Sequence, residues 1–277
     1  MKNNILEIKN LKVFPNNNSR LKLVKNISLS LKKGKTTCIV GESGSGKSLT
    51  ALSVMQLLSK QLSMSGSLVF EGIDMLNLTK EEVRNKRGKD IAMIFQEPMT
   101  SLNPVLTIGY QIQEAIAVHE SLSKDKLNNR VIKLLKTVGI SSDRFNSYPD
   151  ELSGGQRQRV MIAMAISCSP KLLIADEPTT ALDVTVQAQI LNLLNDLKLK
   201  FEMTMLFITH DFGVVEDIAD DVAVMYQGAI VEQGSVAKVL KKPKHPYTRA
   251  LLDCVPDVNG KKELKPIDYS ILKGLMS

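Results

Sequence analysis

The chain has 277 residues, a formal net charge of +7, and hydrophobic and charged contents of 43 % and 23 %. This composition is ordinary for a soluble globular protein, and a chain of this length can bury a sizeable core in one large domain or two modest ones. The aromatic content is only 4 % and there is no arginine-rich block. We therefore interpret the charge as a lysine-rich solubilising surface and expect no nucleic-acid partner.

The distribution of hydrophobic residues along the chain argues against a membrane-spanning protein and against a secreted one. No stretch approaches the roughly 18 apolar residues of a membrane span, and the first residues lack the apolar core of a secretory signal. The three cysteines lie far apart without the spacing of metal ligands. This usage favours a reducing, cytosolic setting.

Apolar and polar residues alternate over residues 5–40, which predicts β-strands. The apolar positions are Leu6, Ile8, Leu11 and Val13, then Ile27, Leu29 and Leu31. A turn cluster at residues 15–19 separates the two groups. Phe14 lies beside this turn. By pattern alone it is an ordinary hydrophobic residue at a strand edge, although its ring could stack on an adenine.

The next segment fits G-x-x-x-x-G-K-[ST], the phosphate-binding P-loop pattern. It reads Gly41-Glu42-Ser43-Gly44-Ser45-Gly46-Lys47-Ser48. An apolar strand at residues 37–40 precedes it, and helical spacing over residues 49–59, beginning with Leu49, follows it. The pattern therefore has the strand and helix that it needs on either side.

The chemistry of phosphate binding requires these residue types. Glycines let the backbone turn tightly and approach a ligand, and successive N–H groups form an anion-binding nest at the start of a helix. Lys47 can reach the β- and γ-phosphates, and the Ser48 hydroxyl can bind Mg²⁺. The segment therefore predicts a nucleotide-binding site.

A polar residue ends the next predicted buried strand. After a strand and turn at residues 67–72 and a charged, solvated helix at residues 80–89, the apolar run at residues 91–95 has the length of a strand. Gln96 follows it directly. Ligands bind beyond the carboxyl ends of strands in an α/β sheet, so Gln96 is either a ligand contact or a simple strand terminus.

The composition changes over residues 97–152, where turn-forming residues and then helical spacing predict a helical insertion. Pro98, the pair Asn103-Pro104, and Gly109 mark an irregular connection. Helical spacing follows at Leu127, Val131, Leu134, Leu135 and Val138.

The insertion ends at Leu152-Ser153-Gly154-Gly155-Gln156-Arg157-Gln158-Arg159. Ser153 and Gln156 form a capping-box pattern, which predicts the start of a helix. A well-capped helix is one interpretation. Two adjacent glycines would weaken its first turn unless something approaches the backbone closely, and an anion bound there would explain them.

The next segment, residues 171–178, contains a predicted buried strand of four apolar residues, with two carboxylates at its carboxyl end. Asp176 and Glu177 occupy the position where one carboxylate can hold Mg²⁺ through water in P-loop proteins, while the other can polarise an attacking water. An amphipathic helix is predicted from Ile190, Leu193, Leu194 and Leu197.

The last predicted core strand, residues 205–209, ends at His210. A single histidine is more often structural than catalytic, but parallel strands bring their carboxyl ends to one edge. His210 is therefore a candidate contact for the γ-phosphate. Residues 222–231 predict a hairpin that turns at Gln227-Gly228.

Together these motifs resemble the ATP-binding cassette (ABC) ATPases over about residues 5–235. The P-loop, Gln96, the Leu-Ser-Gly-Gly-Gln stretch, the Asp-Glu strand end and His210 occur in that family's order. The resemblance implies an α/β P-loop NTPase (RecA-like) fold: a parallel sheet core, an N-terminal antiparallel β subdomain and a helical signature subdomain. It implies an ATPase domain over residues 1–240, with the helical subdomain at about residues 97–165.

A narrower resemblance rests on two stretches, residues 95–104 and residues 243–252. The second stretch reads Pro-Lys-His-Pro-Tyr-Thr-Arg-Ala-Leu-Leu. Both look like the ATPase subunits of oligopeptide, dipeptide and nickel importers. Residues 241–277 would then be the C-terminal extension of that type.

The resemblance also implies roles for single residues, with ATP and Mg²⁺ as cofactors. Phe14 would stack on adenine, and Gly41, Ser43, Gly44, Gly46, Lys47 and Ser48 would hold the phosphates and Mg²⁺. Gln96 would sense the γ-phosphate and Mg²⁺, Asp176 would support Mg²⁺, Glu177 would act as general base and His210 would contact the γ-phosphate. Ser153, Gly155 and Gln156 would bind the ATP of another subunit, and Asp183 would lie at that dimer interface.

The implied function is ATP hydrolysis for solute import, at the cytoplasmic face of the cell membrane as a peripheral subunit. Its partners would be a second ABC ATPase subunit (a paralogue or a copy of itself), two transmembrane permease subunits and an extracytoplasmic solute-binding protein. The irregular segment after Gln96 would dock on the permease. Peptide is the first choice of substrate, and nickel or another metal chelate the second. The other readings are a soluble ABC ATPase acting on ribosomes or DNA, and a non-hydrolysing regulatory subunit.

Overall fold

The computed structural model describes residues 3–97, 101–180 and 182–254. The strands of these residues, numbered β1 to β10, are Asn4–Pro15, Val24–Lys32, Thr36–Val40, Leu62–Phe70, Ile73–Asp74, Ile91–Ile94, Leu172–Asp176, Thr204–Thr209, Asp221–Tyr226 and Ala229–Ser235. The α-helices, numbered α1 to α9, are Lys47–Val54, Lys80–Lys86, Ile108–Ala117, Lys124–Thr137, Gly154–Ala165, Val184–Lys200, Phe212–Ile218, Val236–Lys241 and Pro246–Asp253. Short 3₁₀ helices are Met75–Asn77, Ser142–Asn146 and Pro149–Glu151.

The chain forms two compact units. The first combines Met1–Leu76 with Leu206–Ser277, and the second is Asn77–Met205. Within the described ranges, none of the helices combines the length and hydrophobicity needed to cross a membrane.

An antiparallel sheet in the order β2-β1-β4-β5 opens the first unit. Leu6 on β1 faces Leu31 on β2, and Ile8 faces Leu29. All four side chains are buried because the alternating pattern puts every second residue on one face of the sheet. The predicted strands and the turn between them are confirmed.

Strand β3 delivers the chain to the P-loop. All five of its residues are buried, and it pairs in parallel with β9, where Val40 faces Val224. Strand β9 returns antiparallel as β10. The turn between them has φ values of 44° at Gln227 and 84° at Gly228, as in the type I′ turns that suit hairpins. The predicted hairpin is confirmed.

The second unit carries the parallel pair β6 and β7, with Ile94 facing Ala175. This pairing brings the end of β6, next to Gln96, beside the end of β7 at Asp176. The helices α3, α4 and α5 bury apolar faces in the same unit, with fully buried Ile112, Val131, Leu135, Val160 and Ile162.

One segment of the predicted irregular connection is a helix. Helix α3 begins after Thr107, whose hydroxyl accepts a hydrogen bond from the Tyr110 N–H at 3.3 Å. Gly109 lies inside this helix. A Cβ there would come within 2.5 Å of the Phe145 carbonyl oxygen, so this glycine permits close packing and does not break the helix. Pro98 lies outside the described residues.

The helix after the P-loop is shorter than the predicted one over residues 49–59. It ends at Val54 in a Schellman motif: Leu57 N–H donates to Leu52 O, Gln56 N–H donates to Ser53 O, and Gln56 has a φ of 51°. This left-handed residue stops the helix. The pattern of apolar residues continues past it and gives no sign of the stop.

Two other predicted elements also differ in extent. The strand predicted at residues 67–72 is longer at its start, because β4 pairs with β1 across an irregularity between Lys9 and Lys12. Gly66 fits this irregularity with a φ of 124°, where a Cβ would lie 2.7 Å from Asn10 O. The helix predicted over residues 80–89 ends at Lys86, since Arg87 adopts an extended conformation.

Candidate functional site

The P-loop backbone has a conformation that only glycines accept at three positions. Gly41, Gly44 and Gly46 have φ values of 154°, 77° and 102°. A Cβ on Gly41 would lie 2.1 Å from the backbone oxygen of Met225, and one on Gly46 would lie 3.2 Å from Leu23 O. Close packing within the unit therefore excludes a side chain at Gly41 and Gly46, while the positive φ alone favours glycine at position 44.

Helix α1 starts without a capping side chain, because its N-cap is Gly46 in the left-handed conformation. All residues of α1 are described, and its first turn carries no carboxylate. Lys47 is only 4 % exposed. Its ammonium donates to Gly41 O at 2.9 Å and to Glu42 O at 3.0 Å. A cation and a helix N-terminus thus converge on one loop, which favours an anion.

The same loop contains a buried polar atom in need of a partner. Among the residues that the structure describes, the Ser45 hydroxyl is buried without a hydrogen-bond partner. A small pocket of about 160 Å³ opens on residues Glu42, Ser43, Gly44 and Ser45, with Tyr226 and Gln227 opposite. An orphaned hydroxyl, a lysine and a row of N–H groups suit a triphosphate, so the residues present fit ATP.

Tyr226 and Gln227 are contributors that sequence reasoning missed. The turn after β9 contacts the P-loop directly, since Gly228 N–H donates to Ser45 O at 2.9 Å. The signal in the sequence was only a hairpin turn. A larger cavity of about 360 Å³ in the same unit contains none of these residues; Lys32 and Asp221 line it and form an ion pair at 2.8 Å.

Two other predicted residues belong to the first unit. Phe14 is half-buried near the end of β1, and the Lys22 ammonium lies 4.3 Å from its ring centroid. A stacked adenine would share the ring with this cation. His210 follows β8 directly and is exposed, while Asp211 caps α7 by accepting a hydrogen bond from Gly213 N–H at 2.8 Å.

In the second unit, two of the predicted residues are in direct contact. The Glu177 carboxylate accepts a hydrogen bond from Gln96 Nε2 at 3.0 Å and another from Thr180 Oγ1 at 3.1 Å. Glu177 has a φ of 46°, a conformation uncommon for a non-glycine residue and typical of functional sites. Asp176, the last residue of β7, is 5 % exposed. Thr180 was not predicted, and only its spacing from Glu177 hints at the contact.

The signature helix α5 begins with the predicted capping box. Ser153 Oγ accepts a hydrogen bond from Gln156 N–H at 3.3 Å, and Gln156 Oε1 accepts one from Ser153 N–H at 3.0 Å. Asp183 likewise caps α6, accepting from Val186 N–H at 2.9 Å. The capping box was predicted from the sequence, whereas the cap formed by Asp183 was not.

The two glycines at the start of α5 are not both explained by a bound anion, contrary to the prediction. A Cβ on Gly155 would lie 2.7 Å from Val186 Cγ1, so packing inside the unit already requires a glycine there. A Cβ on Gly154 would meet Leu182 Cδ2 at 3.8 Å, an ordinary contact. Of the two glycines, only Gly154 is not required by packing, and a bound anion would explain a glycine there.

These geometries define a P-loop nucleotide-binding protein with a signature helix. A family model described as ABC transporter matches residues 24–180, and the chain therefore belongs to the ABC transporter family. A second model, described as the C-terminal region of oligopeptide/dipeptide transporters, matches residues 231–272. Family membership confirms the predicted fold class, ATP as the nucleotide and an ATPase activity.

Curated relatives agree with this membership. The chain is 49 % identical to the oligopeptide transport ATP-binding protein OppD of Bacillus subtilis (strain 168), covering 95 % of this chain and 75 % of OppD. It is 49 % identical to the glutathione import ATP-binding protein GsiA of Escherichia coli (strain K12), covering 96 % of this chain but 44 % of GsiA. The chain thus spans less than half the length of that relative.

Solved structures show the same fold. A dimeric, post-hydrolysis structure of the ATP-binding cassette MJ0796 bound to ADP and Pi has a TM-score of 0.74 and 27 % identity, covering 83 % of this chain and 98 % of that chain. The protein cbiO1 from Clostridium perfringens, part of the ABC transporter complex cbiONQ, has a TM-score of 0.75 and 28 % identity, covering 87 % of this chain and 92 % of that chain.

Proposed function

We propose that the chain is the ATP-hydrolysing subunit of an ABC importer that takes up peptides. The observation that carries the proposal is the 49 % identity to OppD over 95 % of the chain. The match of residues 231–272 to the oligopeptide/dipeptide transporter C-terminal region supports it. The relatives named for glutathione import point to the same chemical class, because glutathione is itself a small peptide.

ATP is held by the first unit through its phosphates. The Glu42 and Ser45 N–H groups already donate to the Tyr247 hydroxyl and to Glu42 O. The other N–H groups of residues 41–48 and the Lys47 ammonium bind phosphate oxygens, and the orphaned Ser45 hydroxyl gains a partner.

The Mg²⁺ ligands proposed from the family resemblance are Ser48, Gln96 and Asp176. Oxygen ligands of this kind suit Mg²⁺. When bound, Mg²⁺ neutralises charge on the phosphates.

The second unit supplies the base. The Glu177 carboxylate, oriented by Gln96 and Thr180, takes the proton of the attacking water. Two donors on one carboxylate oxygen, Oε2, hold the side chain in one rotamer. His210 contacts the γ-phosphate in this proposal, and Phe14 stacks on adenine.

The proposed assembly extends the predictions made from the sequence. The chain acts at the cytoplasmic membrane face with two permease subunits, a solute-binding protein and a second ATPase subunit, whose ATP contacts Ser153, Gly155 and Gln156. Asp183 lies at the interface between the two ATPase subunits. The ATPase domain covers residues 1–240, with its helical subdomain at about residues 97–165. Residues 241–277 form the extension, of which residues 255–277 lie outside the described residues.

The segment after Gln96 is the proposed docking surface for the permease. Val105 lies in this segment and is 74 % exposed, and Phe95, directly before Gln96, is 41 % exposed. Docking on the permease would cover them.

The test is transport by the reconstituted complex in vesicles with a labelled oligopeptide. We expect ATP-dependent uptake that an excess of unlabelled peptide abolishes and that nickel ions leave unchanged. If nickel ions reduced the uptake and unlabelled peptide did not, the substrate would be a metal chelate and not a peptide. ATP hydrolysis with no uptake of any solute would favour a soluble ABC ATPase.

A further inference from the structure

The described part of the C-terminal segment, residues 243–254, is anchored to β10 by one carboxylate. Glu232 on β10 accepts hydrogen bonds from Lys244 N–H at 2.8 Å and from His245 N–H at 2.9 Å. His245 in turn caps α9, because its Nδ1 accepts the Tyr247 N–H at 3.2 Å. These contacts fix where the first turn of α9 lies.

The anchored helix inserts Tyr247 beneath the P-loop. Tyr247 is fully buried, at 0 % exposure, and its ring packs on Tyr226 with a centroid distance of 4.1 Å and an interplanar angle of 33°. Its hydroxyl oxygen accepts a hydrogen bond from Glu42 N–H at 3.2 Å. A residue 205 positions away in sequence thus contacts the P-loop backbone directly.

The contact falls on one particular peptide unit. The carbonyl of Gly41 and the N–H of Glu42 belong to the same planar peptide. The carbonyl accepts the Lys47 ammonium at 2.9 Å, while the N–H donates to Tyr247. Rotation of this peptide would break both hydrogen bonds together, so Tyr247 limits the orientation of the group that holds Lys47.

We propose that Tyr247 is a positioning residue that keeps the peptide between Gly41 and Glu42, and with it Lys47, oriented for phosphate binding. The C-terminal segment thereby sets the nucleotide affinity of the P-loop. This inference rests on the proposed function, because it concerns the same nucleotide site. A preorganised loop binds more tightly since less ordering is left to be done on binding.

The decisive variant is Tyr247→Phe in the full chain, which keeps the ring stacked on Tyr226 and removes only the hydroxyl. We expect MgATP to bind about three- to tenfold more weakly, the effect of about one hydrogen bond. Amide hydrogen exchange at Glu42 should accelerate while the amides of β1 and β2 stay protected. Tyr148→Phe, at a half-exposed tyrosine of the second unit, is the matched control and should bind MgATP as the parent does.

Two results would overturn the inference. One is a lower melting temperature of Tyr247→Phe with unchanged MgATP affinity, which means that the hydroxyl serves folding alone. The other is unchanged or tighter MgATP binding together with unchanged exchange at Glu42. Failure of the parent chain to bind MgATP at all would instead count against the proposed function, which keeps the two failures distinguishable.

Discussion

The two glycine-rich helix starts of this chain look alike in sequence and differ in structure. The start of α1 in the first unit has a glycine N-cap, three glycines with positive φ, and a buried hydroxyl without a partner. The start of α5 in the second unit is closed by a Ser153–Gln156 capping box. Its Gly155 is required by the side chain of Val186.

The difference shows that glycines before a helix carry two separate meanings. In the P-loop they permit backbone conformations that no other residue adopts at ease, and they leave N–H groups available. At α5 one glycine makes room for a neighbouring helix, and the capping box satisfies the N–H groups of Ser153 and Gln156. A glycine-rich pattern before a helix is therefore stronger evidence for anion binding where the cap is missing than where a capping box is present.

The largest expected effect is on the rate of ATP hydrolysis, when the Glu177 carboxylate is changed and the P-loop is left intact. Glu177→Gln should slow ATP hydrolysis by roughly 10²- to 10⁴-fold through loss of the general base, with unchanged MgATP affinity. Glutamine keeps an oxygen that accepts from Gln96 and Thr180, so the fold is preserved. Phosphate release under single-turnover conditions measures the effect.

A graded control accompanies this variant. Thr180→Val keeps the carboxylate and removes one of its two donors, so hydrolysis should slow far less than in Glu177→Gln. Equal losses in both variants would mean that the orientation of the side chain, and not its basicity, limits the reaction. Near-parental hydrolysis in Glu177→Gln would move the role of base to another residue, His210 first.

A smaller effect tests the glycines of α5. Gly155→Ala should lower the free energy of unfolding by about 1–3 kcal/mol, because its Cβ overpacks against Val186. Gly154→Ala should change it by less than about 0.5 kcal/mol. Chemical denaturation measures both, and Gly155→Ala combined with Val186→Ala should recover most of the loss. Failure of this rescue would mean that packing against Val186 is not the reason for a glycine at position 155.

The smallest effect concerns the anchor behind the P-loop. Burial acts to raise the pKa of Glu232, but hydrogen bonds from the His245 and Lys244 N–H groups outweigh it, and the pKa falls below its ordinary value. A lowered folded-state pKa means that the stabilisation is complete above the ordinary pKa and is lost as pH falls through the lowered one. Glu232→Gln should therefore unfold about 1 kcal/mol more easily at neutral pH.

The same comparison at low pH provides the check. The unfolding free energies of the parent and Glu232→Gln should converge as the solution is acidified through the lowered pKa of Glu232. A constant difference between the two proteins from neutral to acidic pH would mean that the carboxylate charge contributes nothing to the anchor.

The local sequence pattern was sufficient to predict those elements whose structure depends on a few adjacent residues. The alternation of β1 and β2, the turn at Gln227-Gly228 and the Ser153–Gln156 capping box are all confirmed, because each depends on a few adjacent residues. Helix α3 was missed since Gly109 resembles a breaker until Phe145 is seen packed against it.

Contacts between distant segments could not be predicted from one sequence. Gln96 and Glu177 are 81 positions apart and Glu42 and Tyr247 are 205 apart. The two members of each pair lie in separate motifs, and neither motif predicts a contact with the other. The candidate site was therefore predictable as a set of residue types, while the support that Thr180, Tyr226 and Tyr247 give to it was not.

The most direct test is a titration of MgATP into the isolated full-length chain and two variants. Lys47→Ala removes the cation of the open loop and should weaken binding by roughly 10- to 100-fold. Ser153→Arg adds bulk and charge at the capped helix and should bind MgATP as the parent does, while abolishing ATP hydrolysis by the reconstituted complex. Loss of affinity in Ser153→Arg with parental affinity in Lys47→Ala would contradict the assignment of this chain's own nucleotide to its P-loop.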